Sequence, residues 1–430
     1  MKRHGRETEG PTSSHSSKSG GEGSEASPFL TQPEELRRFF HLSARETAAI
    51  ESVSRVYPLK IPRYYASLFD RTATRCPLSR QAIPSLEELN SCSEADPLGE
   101  RHISLTPILL RRYENRAVLL VSNTCAMFCR FCNRKRLFKE GFDPLPYLEE
   151  SLGRIARERS LREVILSGGD PLMLDPDLFF EVLSRIKDIR HVAIVRVSSR
   201  VPVVFPEGLK DRHLRALRRQ EPVWFVLHIN HPKEVTREFK EAVRALRRSR
   251  CVLVSQTVLL RGVNDCPHIL KDLFERLVVL AVKPYYLFHL DPVMGTEHFK
   301  VGIERGIEIM RILRATATGL AIPHYVVDIP GGLGKVPLEK HGIRARVGHR
   351  VHLESPIGGE GVYIDDAAES SCLRCGLCRG CGKGVKVKDG GQKAKKKGTA
   401  QRYEAKKMEV PMEISGEKAQ DGGRNSYDLK

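Results

Sequence analysis

Short apolar runs alternate with amphipathic stretches through the middle of the chain. The apolar runs are continuous and rich in β-branched residues, which is typical of strands buried on both faces of a parallel sheet. They lie at 117–122, 163–169, 191–199, 222–230, 251–260, 283–291 and 324–332. Helical spacing of apolar residues recurs between them, near 146–159, 176–188, 207–220, 232–249, 266–280 and 300–317. The pattern predicts an α/β protein built as a partial (β/α) barrel of about six units.

Flanking regions surround this barrel core, which the pattern places at 113–335. Residues 1–28 are rich in Ser, Gly and Glu and are predicted to be disordered. Segments of helical character separated by prolines fill 29–112 and predict a helical region packed on the core. A small cysteine-rich extension follows at 336–382, and 383–430 has the lysine-rich composition of a disordered tail.

Polar or glycine residues stand at the end of nearly every predicted strand. They include Asn123, His228, Asn230, Gln256, His289, Asp291 and Asp328, together with the segments 167–170 and 198–200. The carboxyl ends of parallel barrel strands meet on one face, where barrel enzymes hold their active sites. The sequence therefore predicts a polar cavity at this end of the sheet.

Three cysteines fall within eight residues after the first of these strands: Cys125, Cys129 and Cys132, in CAMFCRFC. Thiolates at this spacing can bind one metal cluster from a single loop, and three ligands leave one iron of a four-iron cube free for chemistry. Arg130 and the run Arg134–Arg136 lie beside them. Thiols near cations are reactive or metal-bound, so the pattern favours a cluster over three cysteines packed in a core.

A second cysteine group lies in the C-terminal extension. The run CLRCGLCRGC places Cys372, Cys375, Cys378 and Cys381 at two-residue gaps. This spacing predicts a closed zinc site or a second iron-sulfur cluster rather than disulfides. Cys266 is an additional candidate ligand, and five thiols for four positions leave the ligand set open.

Composition and charge indicate where the protein is located and which classes of partner it binds. The N-terminus is charged and then Ser- and Gly-rich, unlike a secretory signal, and no apolar run reaches the roughly 18 residues of a membrane span. A cytoplasmic protein with no membrane partner is therefore expected. The formal net charge is +18, but much of the excess lies in the tail and on the outward faces of amphipathic helices. That distribution favours solvated helix faces over a nucleic-acid groove.

Two loops add candidate chemistry. Gly168, Gly169 and Asp170 connect a strand to a helix, and paired glycines let the backbone approach a ligand closely. In DIPGGLGKVP, Lys335 ends a glycine-rich loop. Phosphate binding, a Schiff base with an aldehyde and a solvated surface lysine all fit that pattern. The strand-end acids Asp291 and Asp328 either receive a cationic group or serve as helix caps and salt-bridge partners.

These motifs resemble the lysine 2,3-aminomutase family of the radical S-adenosylmethionine superfamily. The loop CAMFCRFC is similar to the CxxxCxxC motif of the superfamily, and the stretch from about 111 to 335 resembles the narrower family. The resemblance is carried by CRFCNRKR, LSGGDPL, VRVSSRVPVV, HINHP, QTVLLRGVNDC, KPYYLFHLD, GTEHF and VVDIPGGLGK. It implies an isomerase that uses a [4Fe-4S] cluster, S-adenosylmethionine and pyridoxal 5'-phosphate to convert L-lysine to L-β-lysine.

The resemblance also implies roles for individual residues. The three loop cysteines would bind the cluster, and Lys335 would bind pyridoxal phosphate covalently as the catalytic residue. Arg134 would pair with the substrate carboxylate. Asp291 and Asp328 would bind the ε-ammonium group of lysine, which argues against the glutamate-specific relatives. Contacts to the cofactor phosphate are implied for Arg112 and Arg116, and contacts to S-adenosylmethionine for Ser167, Gly168, Gly169, Asp170, Arg200 and Gln256.

The sequence departs from the family pattern at two places. Leu333 interrupts a run that is usually all glycine, and four C-terminal cysteines stand where the family supplies three, with a ligand equivalent to Cys266 from a neighbouring subunit. Expected partners are an amino acid, a reductant such as flavodoxin or ferredoxin, and further copies of the chain, with zinc as a further metal. The open alternatives are an aminomutase for arginine, ornithine or glutamate, a radical modifier of protein-bound lysine or RNA, and a non-enzymatic iron-sulfur electron carrier or metal-dependent interaction module.

Overall fold

The computed structural model describes residues 27–70, 76–139, 141–338, 342–355 and 359–365. The chain divides into two units, Met1–Asp365 and Asp366–Lys430, and every described residue belongs to the first. The N-terminal segment predicted to be disordered lies outside the described residues up to residue 26, as do the four C-terminal cysteines and the basic tail. Within the described ranges, no helix is both long and apolar enough to cross a membrane.

A large sheet forms at the apolar runs, as the sequence predicts. The strands of the described chain are β1 (Phe29–Leu30), β2 (Ile61–Pro62), β3 (Ser104–Thr106), β4 (Leu109–Tyr113), β5 (Arg116–Ser122), β6 (Glu163–Gly168), β7 (Ile194–Ser199), β8 (Trp224–His228), β9 (Val252–Leu259), β10 (Lys283–His289), β11 (His324–Ile329), β12 (Gly334–Pro337), β13 (Ile343–Val347), β14 (Arg350–Glu354) and β15 (Glu360–Ile364). The main sheet has ten strands in the order β12-β11-β10-β9-β8-β7-β6-β5-β4-β3. Strands β5 to β11 are parallel, while β3, β4 and β12 pair antiparallel at its two sides.

Helices follow the parallel strands in the alternation that the sequence predicts. They are α1 (Pro33–Phe40), α2 (Ala44–Ser54), α3 (Arg63–Ser67), α4 (Lys135–Lys139), α5 (Leu148–Arg157), α6 (Pro176–Lys187), α7 (Val201–Val204), α8 (Asp211–Arg219), α9 (Arg237–Arg248), α10 (Pro267–Val279) and α11 (Ile303–Thr316). The α/β class and the mostly parallel sheet are confirmed. The sheet stays open in the described residues, since the outer strands β3 and β12 pair with β4 and β11 and not with each other.

Helix α9 illustrates how the sequence sets this packing. Its buried residues Phe239, Ala242, Val243 and Leu246 recur at helical spacing and form one apolar face. The Thr236 hydroxyl accepts the backbone N–H of Phe239 at the first turn, and arginines occupy the last turn. Val164 and Leu166 of β6, which are two residues apart and so lie on one face of the sheet, have no exposed surface.

The region before the parallel strands is not wholly helical. Helices α1 to α3 are present, but β3 and β4 join the main sheet as antiparallel strands. The apolar run ILL before Arg111 is too short to show strand periodicity, so these two strands carry no separate sequence signal. This region contacts the cysteine loop directly, because Phe128 donates its backbone N–H to Lys60 and Arg130 donates its own to Gln81. The loop is thus fixed to the N-terminal region as well as to the sheet.

Candidate active site

One cavity is lined by the predicted site residues other than Cys266 and the C-terminal cysteines. Its volume is about 340 Å³, and it lies among the carboxyl ends of the parallel strands. A volume of this size falls within the range of pockets that bind small molecules. Its lining includes Arg112, Arg116, Cys125, Cys129, Cys132, Arg134, Ser167, Gly168, Gly169, Asp170, Arg200, Gln256, Asp291, Asp328 and Lys335. The predicted strand-end residues thus line one cavity, except Asn123 and Asn230; the amide of Asn230 is hydrogen-bonded to Gln81 and Val258 instead.

The cations that follow the cysteines in sequence do not point their side chains at the thiols. Arg130 and Lys135 are both buried and share the carboxylate of Glu88, at 2.7 Å each. Arg134 pairs with Glu100 instead. The cations that are adjacent to the cysteines in sequence are therefore not the ones whose side chains contact the sulfur atoms. The guanidinium that does reach a thiol belongs to Arg200, whose Nη1 donates to Cys129 Sγ at 2.8 Å.

Burial dominates the chemistry of the metal-free thiols. It raises the pKa of Cys125 well above its ordinary value, and burial followed by the nearby Cys129 raises the pKa of Cys132 to about 11. The described residues contain no group of three side chains spaced to hold a single metal ion. A four-iron cube spreads its cysteine ligands more widely than one ion does, and these three thiols line one cavity, so the donor set fits a cluster. Iron binding here would release protons from the thiols.

The glycine loop after β6 is hydrogen-bonded to the segment that leads into the cysteines. Gly169 donates its backbone N–H to the Ser122 carbonyl at 2.6 Å, and Asp170 donates to the Thr124 carbonyl at 2.8 Å. A Cβ atom on Gly169 would lie 2.4 Å from the Thr124 oxygen. Glycine is needed here because backbone of the two loops is in direct contact. The two loops therefore form one rigid wall of the cavity.

The carboxylate of Asp170 accepts hydrogen bonds from other groups of the protein. It accepts the Ser199 hydroxyl at 2.8 Å and the backbone N–H groups of Leu172, Arg200 and Val201 at 3.0, 2.7 and 3.2 Å. These four donors tie the end of β6 to the end of β7. Asp170 is thus placed to hold the glycine loop in position, while the backbone of that loop faces the cavity.

Replacing Gly169 with alanine is expected to destabilise the fold by about 1–3 kcal/mol, because an added methyl group overpacks backbone that cannot move freely. Chemical denaturation of the metal-free protein measures the change. Gly319→Ala is the matched control, since a Cβ at Gly319 would meet no atom within 4 Å. Equal stability of the two variants would contradict the close contact between the loops.

Lys335 and Asp328 face each other across a hairpin. Strand β12 turns back on β11 so that Lys335 is the direct partner of Asp328, and Nζ lies 2.7 and 3.0 Å from the two carboxylate oxygens. The backbone N–H of Lys335 also donates to the Tyr113 hydroxyl at 2.8 Å. In the turn, Gly331, Gly332 and Gly334 have positive φ, whereas Leu333 has φ −71° and an exposed side chain. The departure at Leu333 is therefore accommodated, because it falls at the one position of the turn that suits any residue.

Asp291 differs from Asp328 in its partners. Asp328 is paired with Arg112 at 2.6 Å as well as with Lys335. Asp291 accepts a hydrogen bond from Asn133 at 3.3 Å, and no ion pair to it is present within the described residues. Burial, followed by the negative charge of Asp328, raises the pKa of Asp291 to about 7. The cavity thus contains an acidic group that a cation would stabilise in its charged form.

Glu100 is a site residue that sequence reasoning missed. Its carboxylate accepts Nε and Nη2 of Arg134 at 3.0 and 2.8 Å, and it accepts Arg136 at 2.7 Å. Burial alone would raise the pKa of Glu100, but the Arg134 and Arg136 guanidiniums lower it to about 2. The Nη1 group of Arg134 remains turned to Ser167 at 3.3 Å and to the cavity. Glu100 lies in a polar stretch with no motif, so no sequence signal pointed to it.

Unpaired polar atoms in the cavity wall show where bound groups would fit. Arg112 Nε, Arg200 Nε and His228 Nε2 are buried without a hydrogen-bond partner in the described structure. Burial, with Arg200 nearby, lowers the pKa of His228 to about 3, so its imidazole is neutral. Arg116 stacks on the Tyr113 ring at 3.8 Å, next to the Lys335 backbone contact. Arginines close to Lys335 fit a phosphorylated aldehyde such as pyridoxal phosphate.

Cys266 is separate from this cavity. It precedes α10 as the N-cap residue and does not line the cavity wall. Its predicted metal partners, the C-terminal cysteines, lie outside the described residues. The second metal site therefore stays a prediction.

Comparison with known proteins gives the family. Residues 119–273 match the Radical SAM superfamily. The chain is 38% identical to L-lysine 2,3-aminomutase of Fusobacterium nucleatum subsp. nucleatum over 331 residues, which cover 76% of this chain and 78% of that relative. The chain belongs to the lysine 2,3-aminomutase family. L-lysine 2,3-aminomutase of Clostridium subterminale is 35% identical over 82% of this chain and 86% of the relative.

Membership of the lysine 2,3-aminomutase family makes the protein a radical S-adenosylmethionine enzyme of the isomerase class. Enzymes of this superfamily use a [4Fe-4S] cluster and S-adenosylmethionine, and they need a reductant. The family does not fix the amino acid. A glutamate 2,3-aminomutase of Clostridioides difficile is 36% identical over 72% of this chain and 74% of the relative. Its identity is close to that of the lysine enzymes, so the substrate must be argued from the cavity.

Proposed function

We propose that the protein is a pyridoxal phosphate-dependent aminomutase that moves the α-amino group of L-lysine to C3 and forms L-β-lysine. The observation that carries this proposal is the pair of acids, partly buried Asp291 and buried Asp328, in the same cavity as Lys335 and Arg134. Lysine has a cation at the end of its side chain and a carboxylate at its other end. The cavity offers a partner for each.

The ion pairs of Asp328 support the proposal, because one of them depends on the free ammonium group of Lys335. Asp328 is paired with Lys335 and Arg112. While Lys335 is attached to pyridoxal phosphate it would carry no free ammonium group, so Asp328 would have one of its two cations fewer when the substrate enters the cavity. A buried carboxylate without a full set of partners is costly. The ε-ammonium group of substrate lysine would restore the second cation.

The negative charge of Asp291 also favours lysine over glutamate as the substrate. A carboxyl group whose pKa is raised to about 7 by burial and by Asp328 is stabilised in its ionised form by an added cation. The side-chain carboxylate of glutamate would instead add a third negative charge beside two acids. Lysine, and after it the cationic amino acids ornithine and arginine, are therefore favoured over glutamate.

The other end of the substrate would meet Arg134. Two of its nitrogens are held by Glu100, and its Nη1 group faces the cavity next to Ser167. A guanidinium held on one side by a carboxylate keeps a fixed orientation for the substrate carboxylate.

When bound, the cluster and S-adenosylmethionine supply a hydrogen-abstracting radical, and pyridoxal phosphate carries the migrating nitrogen. The protein residues position the reactants. Cys125, Cys129 and Cys132 would bind the cluster, while the backbone of Gly168 and Gly169 and the side chains of Ser167 and Gln256 line the wall assigned to S-adenosylmethionine. Lys335 would attach pyridoxal phosphate, and Arg112 and Arg116 would neutralise its phosphate.

The test is a comparison of amino acids with anaerobically reconstituted protein. Initial rates are measured for lysine, arginine, ornithine and glutamate with dithionite, S-adenosylmethionine and pyridoxal phosphate. Lysine is expected to have the highest kcat/KM and glutamate the lowest. A higher value for glutamate than for lysine would overturn the substrate assignment and leave the family assignment intact.

Replacing Glu100 with glutamine is expected to raise KM for lysine about tenfold, because a neutral amide holds the Arg134 guanidinium less firmly. The effect on kcat is expected to stay within about threefold, since Glu100 acts through Arg134. Steady-state kinetics measure both constants. Glu158→Gln, which breaks the Arg111–Glu158 pair outside the cavity, is the matched control. An unchanged KM would remove Glu100 from substrate positioning.

The basic tail separates this proposal from the alternative of a protein or RNA modifier. Removing the residues after Lys383 is expected to leave lysine turnover within about twofold, because binding of a free amino acid uses the buried cavity alone. The natural electron donor, predicted to be a flavodoxin or ferredoxin, the homo-oligomer, zinc and the cytoplasmic location stay predictions.

A further inference from the structure

Arg200 contacts a cysteine of the cluster loop directly. Its Nη1 donates to Cys129 Sγ at 2.8 Å, and the side chain is 7% exposed. Nη2 donates to Gln81 Oε1 at 2.7 Å and to Glu234 Oε1 at 3.0 Å. The Phe131 ring lies 5.1 Å from the guanidinium carbon. These other anchors would keep the cation beside Cys129 when iron occupies the thiols.

Glu234 is an anion placed behind this cation. It is fully buried and does not line the cavity. Its Oε1 accepts the Tyr65 hydroxyl at 2.6 Å and Arg200, and its Oε2 accepts the backbone N–H groups of Asn230 and His231 at 2.7 and 2.9 Å. Each of these partners donates a hydrogen bond to the carboxylate. It therefore offsets part of the Arg200 charge within a buried, low-dielectric region.

Hydrogen bonds to cluster sulfurs and nearby charges set the reduction potential of an iron-sulfur cluster. Reduction adds one negative charge to the cluster. A buried cation that donates to a ligating sulfur stabilises that added charge and raises the potential. A buried anion behind the cation has the opposite effect.

We propose that Arg200 is a redox-tuning residue, which raises the potential of the cluster through its hydrogen bond to Cys129, and that Glu234 limits the size of this effect. This role is distinct from the contact to S-adenosylmethionine that the sequence motif implies for Arg200. It depends on the family's cluster and not on the identity of the amino acid substrate.

The experiment is an electron paramagnetic resonance redox titration of reconstituted protein without S-adenosylmethionine. Arg200→Met is expected to shift the midpoint potential to a more negative value, and Glu234→Gln to a more positive value. Arg200→Lys, which keeps the charge, is expected to lie between Arg200→Met and the unchanged protein. Arg111→Met and Glu158→Gln are matched controls, since this partly buried Arg–Glu pair, at 2.9 Å, lies outside the cavity. Iron content is measured for every variant.

Opposite shifts for Arg200→Met and Glu234→Gln, with no shift in the controls, would support the proposal, because structural damage has no reason to change sign with charge. Equal potentials in all proteins, or shifts of the same sign, would overturn it. If Arg200→Met fails to bind iron, the midpoint potentials of Glu234→Gln and Arg200→Lys test the proposal instead. A positive shift in Glu234→Gln together with a negative shift in Arg200→Lys supports the role, and any other pair of results overturns it.

Discussion

Alanine in place of Lys335 is expected to lower turnover on the order of 10³-fold or more, because no other residue can replace a covalent attachment point. The hairpin of β11 and β12 presents Lys335 to the cavity opposite Asp328. Lys335 lies on the outer strand β12 of the main sheet, so the fold is expected to tolerate the change. Turnover of lysine and the visible absorbance of bound pyridoxal phosphate are measured together.

Lys335→Arg is the informative control for this variant. Arginine keeps a positive charge beside Asp328 but cannot attach pyridoxal phosphate covalently. Both variants are expected to lose turnover while they retain the iron content of the unchanged protein. Substantial turnover in Lys335→Arg would show that the positive charge is sufficient, which would contradict the role assigned to Lys335.

Asparagine in place of Asp291 is expected to lower kcat/KM for lysine by at least about 30-fold, the lower end of the cost of truncating one partner of a buried charge pair. The loss for glutamate is expected to be small or reversed in sign, because one negative charge is removed from the cavity. The ratio of kcat/KM for lysine to that for glutamate measures the effect. An unchanged ratio would remove Asp291 from substrate choice.

The pH profile gives a second readout of Asp291. Its pKa is raised to about 7 by burial and then by Asp328, with Lys335 acting in the opposite direction and Glu100 in the same one. Below that pH the carboxyl group is neutral and pairs poorly with an ammonium group, and above it the carboxylate is charged. The kcat/KM for lysine is therefore expected to rise with pH through about 7. Asp291→Asn is expected to lose this rise.

The sequence was sufficient for the parallel strands of the main sheet and for most of the polar residues that line the cavity, but not for the antiparallel strands β3, β4 and β12 or for Glu100. Continuous apolar runs predict buried parallel strands, and the geometry of such strands places their carboxyl ends together. The cysteine loop, the glycine loop, Asp291, Asp328 and Lys335 therefore converge as expected. These features follow from local patterns and from one general property of parallel sheets.

The charge partners could not be predicted in the same way. Arg130 and Lys135 stand beside the cysteines in sequence, yet both pair with Glu88, while Arg200 reaches Cys129 from the end of another strand. Glu100 and Glu234 carry no motif and act through contacts distant in sequence. Ion pairs of this kind depend on side-chain packing in three dimensions, which periodicity does not report.

The proposed activity is tested most directly by lysine that carries an isotopic label on its α-nitrogen. Anaerobically reconstituted protein is incubated with the labelled lysine, and the product is analysed by NMR and mass spectrometry. The expected result is β-lysine with the label on the nitrogen at C3. Unchanged lysine under conditions in which the same preparation converts glutamate, or a product with the label still at C2, would contradict the assignment of lysine as the substrate.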